Sequence, residues 1–516
     1  MRQKLEFYTI VIMTLGLILS ACVSAPQPGT AEKPIPSSTT SEEKQVLAEA
    51  KSPASETPVI EGPTEIPEPT STNAVESPST QDADCSPIPL DQSILIMDWD
   101  ESQDINLLHP VNPKDGQVLC GFASIELGDA FQYAFSDDYS HLAVATFRNG
   151  FAKSAKLELV DLKTWQSVAF PLEIKKWISR VTFNHAGDQV ALAFNSSSTY
   201  STKPQSFTLL TINLLNGQIE ASRELEFNPR WLSYTPDDAS LIVFGGREGL
   251  TDEEMPQGHA LLLNAQDLST AWEPQLDGIL VGSSPPETED SDPIFEIYEP
   301  AVTLSPDGMR LYIVHSDAET LTTIDFSSHS LDTVDIAPKL SFVERLLALT
   351  ARVAHAKGAN GTTKRAILSA DGNQLYVVSW TNTAEKDSQG NWNFGETSHG
   401  LQVVNVESGE QITRLATSAN EVLLSSDGNQ LLLQGWEGEV PWTDVIATED
   451  MQLIKHVFGH HLQPALTLSG EQVLLANSAY RNGIRTGLVD PADLATSGEL
   501  ELKDWKHDGY ILTMQP

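Results

Sequence analysis

The stretch Leu304-Ser-Pro-Asp-Gly-Met-Arg-Leu-Tyr-Ile-Val314 decides the fold, because the chain repeats it. It returns as Leu368-Ser-Ala-Asp-Gly-Asn-Gln-Leu-Tyr-Val-Val378 and as Leu424-Ser-Ser-Asp-Gly-Asn-Gln-Leu-Leu-Leu-Gln434. Looser copies start at Phe135, Phe183 and Tyr234, and a shortened one starts at Leu468. Each reads as strand, tight turn, strand. Ser and Asp supply turn hydrogen bonds, Gly admits a left-handed residue, and the apolar run that follows builds a buried strand. Recurrence at this spacing marks a repeat architecture.

A second hairpin follows each copy. Its first strand ends in Asp or Asn, as at Asp161, Asn213, Asp325 and Asn405, before turns such as Asn216-Gly217 and Ser408-Gly409. Four strands per unit make the blade of a β-propeller, with one or two β-sandwiches as the generic alternative. The Ser-x-Asp-Gly strand pattern resembles the YVTN-type and WD-repeat propellers over nearly all of residues 90–516. Seven copies give seven units. Three early segments (93–98, 105–111 and 117–122) and one late segment (509–514) remain, enough for an eighth blade that pairs the two chain ends. Such closure leaves no open edge. The expectation is an all-β chain with a single propeller over 85–516. It has eight four-stranded blades, or seven if the remnants are trimmings.

The N-terminus reads as an address. Arg2 and Lys4 precede an apolar run from Phe7 to Leu19, and Leu19-Ser20-Ala21-Cys22 follows. A basic start, an apolar core and small residues before a cleavage point form a secretory signal. The ending resembles the lipobox of bacterial lipoproteins, which implies a diacylglyceryl group on the Cys22 thiol and cleavage before it. An uncleaved span or an ordinary signal peptide is the alternative, but the run is short against the roughly 20 residues that cross a bilayer. Residues 1–22 are therefore assigned to the signal. Residues 23–84 hold ten prolines among Ser, Thr, Ala and Glu, with no aromatic residue. Such a segment cannot bury enough apolar surface to offset ordering entropy, so it reads as a disordered tether. The localisation implied is extracytoplasmic, lipid-anchored to a bacterial membrane at the cell surface or in the periplasm.

Charge narrows the partners. With 71 acidic and 31 basic residues the net charge is −40, which excludes a nucleic-acid footprint. Cys85 and Cys120 fall at the start and on the last early segment of the composite blade, a candidate disulfide in an exported protein.

In an up-and-down blade, the first-second and third-fourth turns share one face, and here they are short. The second-third loops (195–206, 247–258, 382–400 and 478–485) and the crossings (277–300 and 336–364) share the other and are long. Long loops on a rigid scaffold carry binding surfaces. The second crossing predicts one inserted α-helix, opened by a Ser341/Glu344 capping box and ended near Gly358. Its Phe342, Arg345 and Arg352 are candidate docking residues, against a helix merely packed on its own propeller. The acidic loops add Asp252, Glu253 and Glu254, and Glu287, Glu289, Asp290 and Asp292. Calcium would use such oxygens, but no Asp-x-Asp-x-Asn-Gly loop organises them, and solvated loops are the plain reading. They bias this face towards cationic partners.

No catalytic residue is assigned. His456, His460 and His461 have metal-like spacing, yet Gly459 suggests a turn and no further ligand lies nearby in sequence, so no metal site is assigned. No haem motif, nucleophile elbow or phosphate loop occurs. No cofactor is expected. The function expected is a membrane-anchored binding scaffold for a protein, peptide or glycan, and the chain is expected to be monomeric. Two alternatives stand beside it: an extracytoplasmic propeller enzyme of lactonase or dehydrogenase type, and an envelope assembly factor.

Overall fold

The computed structural model describes residues 85–100, 105–147, 155–174, 178–195, 206–247, 255–284, 296–337, 361–386, 392–425, 427–438, 440–480, 483–489, 496–500 and 510–512. Among these, the strands assort into eight sheets, seven of four strands and one of six. The fold is an all-β propeller of eight blades, labelled I to VIII. In blades II to VIII the strands lie side by side in chain order. Their first strands are Asp129–Phe135 (II), Ile178–Phe183 (III), Asn228–Tyr234 (IV), Ala301–Leu304 (V), Gly361–Leu368 (VI), Glu421–Leu424 (VII) and His461–Leu466 (VIII). The first strands of II, III and IV, and those of V, VI and VII, approach one another directly, which places first strands around the central channel.

Blade I is the composite. Its strands run Ile125–Leu127, Ile105–Val111, Ile94–Asp100 and then Tyr510–Leu512. Leu95, Ile96 and Met97 pair with Leu512, Ile511 and Tyr510. The C-terminal strand is thus the inner strand of the first blade, and the ring closes by main-chain hydrogen bonds.

The core is divided in the same way as the ring. Eight apolar clusters occur, and each draws on two adjacent blades. Strand alternation explains this, because successive side chains leave opposite faces of a sheet. In blade II, Leu142 and Val144 pack towards blade I, while Ala143 and Ala145 pack towards blade III. In blade IV, Leu241 and Val243 face III, while Ile242 and Phe244 face V. Ala465 and Leu475 of blade VIII meet Ile94, Ile96 and Val111 of blade I, so the last interface seals the ring.

The repeated motif is a repeated set of hydrogen bonds. Ser369 Oγ donates to Asp371 Oδ1 (2.6 Å) and accepts from Gln374 N (2.9 Å). Ser425, Asp427 and Gln430 repeat it at 2.6 and 2.9 Å. The second hairpin turns on its Asp or Asn: Asn213 Oδ1 accepts from Leu215 N and Asn216 N, and Asn405 Oδ1 from Glu407 N and Ser408 N.

Two expected loops are strands instead. Of residues 478–485, those described pair as two strands, Ser478 with Arg485, Ala479 with Ile484 and Tyr480 with Gly483. Residues 382–400 continue the blade VI strands Gln374–Lys386 and Trp392–Asn405 out to a Lys386/Trp392 pair. Continuing the ladder satisfies main-chain groups that a loop would leave to water. The crossing 277–300 likewise holds a short hairpin, Gly282–Ser284 with Glu296–Glu299. Its second arm runs parallel to blade VI, Tyr298 opposite Thr362 and Glu299 opposite Thr363. Pro300 has no N–H to extend that ladder, and the chain joins its own blade at Ala301. The expected helix at 341–358 lies outside the described residues. No helix among the described residues is long and apolar enough to cross a membrane.

Candidate functional site

The inner strands run from the face of the crossings towards the face of the short turns. Four blades, and the arm leading into a fifth, place charged side chains on these strands or beside them: Arg180 (III), Arg230 (IV), Glu299 (on the arm before V), Arg365 next to Lys364 (VI) and Glu421 (VII). Contacts join Arg180, Arg230, Glu299 and Arg365 across the blade boundaries, and Arg365 lies within electrostatic reach of Glu421. Arg180 Nε donates to the Arg230 carbonyl, and its Nη1 donates to the Ser179 carbonyl at 2.6 Å. Glu299 lies between two guanidiniums, 3.9 Å from Arg230 Nη1 and 3.6 Å from Arg365 Nη2. Arg365 also stands 5.8 Å over the Trp380 ring, a cation–π distance.

Local backbone irregularity helps to aim these groups. In blades II, III and IV the inner strand bulges at one place, leaving residues 131, 179 and 230 outside the pairing. A bulge takes its residue out of the alternation and redirects the side chain. The blade IV bulge is packed tightly. A Cβ at Gly245 would lie 1.9 Å from the Asn228 carbonyl oxygen, and one at Gly246 would lie 2.0 Å from that of Val281. Gly361 serves the parallel arm in the same way, its Cβ position lying 2.8 Å from the Ile297 carbonyl oxygen.

Electrostatically the mouth is a mixed cluster with basic excess. Burial lowers the Arg180 pKa, and the like charge of Arg230 adds to this, but a guanidinium stays cationic in any working range. Burial pushes the Glu421 carboxyl up, against the pull of Arg365. The Glu299 contacts are ion pairs without hydrogen-bond distances. Arg230 Nε is buried with no hydrogen-bond partner among the described residues. An unpaired buried donor costs about 1–3 kcal/mol, so an added acceptor there would be favoured.

Beside the mouth, Lys364 is buried between blades V and VI. Its ammonium donates to the Ala318 carbonyl at 2.9 Å and stands 3.7 Å from Glu319. Burial lowers its pKa, opposed by Glu319 and Asp317.

Of the residues singled out from sequence, the structure joins Cys85 and Cys120 in a disulfide, with Cα atoms 5.0 Å apart. Cys22, the acidic loop residues Asp252, Glu253, Glu254, Glu287, Glu289, Asp290 and Asp292, and the helix residues Phe342, Arg345 and Arg352 lie outside the described residues. His456 Nδ1 bonds Asp444 at 2.6 Å and His461 Nε2 bonds the Gly435 carbonyl at 3.0 Å, so those rings are engaged separately. A cavity of about 530 Å³ on the turn face, between blades III and IV, is lined by Asp188, Glu220 and Asp238 among amides. Its carboxylates hold Gln189, Asn213 and the main chain at His185.

The channel charges were missed by sequence reasoning, although a signal existed. Arg180, Arg365 and Glu421 each stand four residues before the first residue of their turns, Asn184, Ser369 and Ser425. Aligning the copies upstream of the motif, not only downstream, exposes a recurring charged position on these strands.

No protein-family model and no curated protein sequence matches the chain. Among solved structures, it is similar to the dihydro-heme d1 dehydrogenase NirN in complex with DHE, at 12% identity and a TM-score of 0.49, over 83% of this chain and 77% of that one. It is similar to the β-propeller domain of Cps50 (Swd1) from Myceliophteria thermophila, at 12% identity and a TM-score of 0.36, over 69% and 94%. The periplasmic gluconolactonase PpgL of Pseudomonas aeruginosa shows 15% identity and a TM-score of 0.36, over 71% and 95%. Nothing about ligand or chemistry follows from likeness at this depth.

Proposed function

We propose that this chain is a lipid-anchored, extracytoplasmic propeller that acts as a binding module, engaging its partner on the face where the crossings enter the channel. One observation carries the reading: four blades and the arm before blade V deliver charged side chains to that end of the channel. Charge gathered from separate repeats into a half-buried cluster is costly unless something uses it. Blade VI adds a hairpin arm, paired out to Lys386 and Trp392, on the same face.

The test is site-specific photo-crosslinking of the full chain in intact cells. A crosslinker at Thr383, on the projecting arm, should give discrete adducts, and one at Asn216, on the short-turn face, should give none. Adducts from Asn216 alone, or from neither position, would overturn the reading.

Glu421 favours a second reading, a propeller enzyme. A carboxyl raised by burial within electrostatic reach of an arginine has the character of a general acid. Lactone hydrolysis by the wild type that Glu421→Gln abolishes would move the assignment there.

A further inference from the structure

We propose that the channel mouth is an anion site for a ligand carrying carboxylate or phosphate groups, with Glu299 as the internal counter-ion that the ligand displaces. The inference deepens the binding-module reading and rests on it. Guanidiniums from blades IV and VI converge on Glu299, and that of blade III reaches the Arg230 carbonyl beside them; planar forks of this kind match carboxylate and phosphate oxygens in pairs. A protein of net charge −40 that gathers arginines in its channel is concentrating positive potential where its overall charge opposes it.

The carboxylate already present stands where a ligand's would. Glu299 is shared between Arg230 and Arg365 at 3.9 and 3.6 Å, beyond hydrogen-bond length to either. Its strand is a short arm that precedes Pro300 and pairs with blade VI only at Tyr298 and Glu299. Its other edge pairs with Gly282–Ser284, so what the ligand displaces is the Glu299 side chain and not the arm. Arg230 keeps a buried Nε donor with no partner among the described residues, and Trp380 backs Arg365 with an aromatic face.

The probes are citrate, for carboxylates, and inorganic phosphate, titrated calorimetrically into the detergent-solubilised full chain at low ionic strength. At least one should bind the wild type. Arg230→Gln and Arg365→Gln should each weaken that binding about tenfold or more, the scale of a lost charge-assisted pair. Glu299→Gln should strengthen it several-fold, because the competitor is gone. Arg180 is more deeply packed, so Arg180→Lys is preferred there: it keeps the charge, loses the fork, and should weaken binding while the melting transition stays in place. Preference for citrate or phosphate identifies the group recognised. The proposal is overturned if neither probe binds the wild type or Glu299→Gln, or if binding is indifferent to both glutamine variants, which would mark an adventitious ion only. Crosslinks from Thr383 without anion binding would remove this inference and leave the binding-module reading. Anion binding without such crosslinks would do the reverse.

Discussion

Gly428 sits at φ +71°, and a Cβ there would lie 2.8 Å from the Cβ of Ala370, in the preceding blade's turn. Gly308 meets Pro236 in the same way at 2.7 Å, and Gly372 meets Pro306 at 3.3 Å. The residue after the turn serine or threonine therefore packs on the glycine of the next blade. Gly438 has a similar φ of +64° with open space around it. Gly438→Ala should cost about 1–2 kcal/mol for the left-handed residue alone. Gly428→Ala should cost at least about 1 kcal/mol more, because Ala370 must shift. Equal losses in denaturant midpoint would remove the blade-to-blade role. The turn aspartates make a second prediction. Hydrogen bonds from Ser305, Ser369 and Ser425, and then from main-chain N–H groups, hold the carboxyls of Asp307, Asp371 and Asp427 below their usual range. Their folded pKa values lie below the unfolded value of about 3.9, so their contribution is complete above that pH and lost as pH falls through the folded values. The groups are exposed, so each is worth about 0.5 kcal/mol or less. Melting curves from pH 6 to 2 should fall more steeply for wild type than for an Asp371→Asn, Asp427→Asn double variant, and parallel curves would refute the assignment. Ser, Asp and Gly announced these roles in the sequence. The glycine's inter-blade contact did not show, because it depends on a residue one repeat away.

Blade I is where an element-scale test has most leverage, since its inner strand arrives from the far end of the chain. A chain ending at residue 508 lacks Tyr510–Leu512 and leaves Ile94–Asp100 with an open edge. Such an edge pairs with other chains. The truncated protein should unfold at lower denaturant and aggregate on size-exclusion chromatography. A monomer with an unchanged midpoint would show the strand to be a trimming. The Cys85–Cys120 bond closes a loop across the same blade, with a sequence separation of 35. Cys120→Ser should lower stability by roughly 3–4 kcal/mol through the loop entropy of the unfolded state. Reductant should lower the wild-type midpoint equally and leave that of the variant unmoved. Blade closure was legible in the sequence by counting, although the third strand is Ile125–Leu127 and not the expected 117–122, where Val118 and Leu119 form only isolated bridges. The length of the projecting hairpins was not legible. Residues 382–400 are rich in Asn, Gly, Ser and Thr, and read as loop. The described residues 382–386 and 392–400 are strands because they continue a register already set by Leu375 and Val404 in the blade below.

At the scale of the whole chain, the charge of −40 and the arginine cluster in the channel are opposite statements about partners. Residues 247–299 carry 13 acids and one base, and most of those acids fall outside the described residues. The sequence therefore directed attention to a cationic partner, while the inner strands present guanidiniums. Composition sums over the chain and cannot register side chains that distant repeats bring side by side. The N-terminus is the reverse case, since position, apolar length and the Leu19-Ser20-Ala21-Cys22 ending carry the anchoring proposal without any structure. If Cys22 bears the lipid, anchoring and folding are separable. Each buried methylene contributes about 0.8 kcal/mol to membrane binding, whereas the eight inter-blade clusters all lie within the propeller. Proline-rich residues 23–84 would space the propeller from the bilayer without contributing to its core. Wild-type chain should sediment with membranes and be released by detergent, not by salt, because its charge repels anionic lipid. Cys22→Ser should move the chain to the soluble fraction with an unchanged denaturant midpoint. Retention of that variant in the pellet would reject the lipid anchor, and a lowered midpoint would show that the tether packs against the propeller after all.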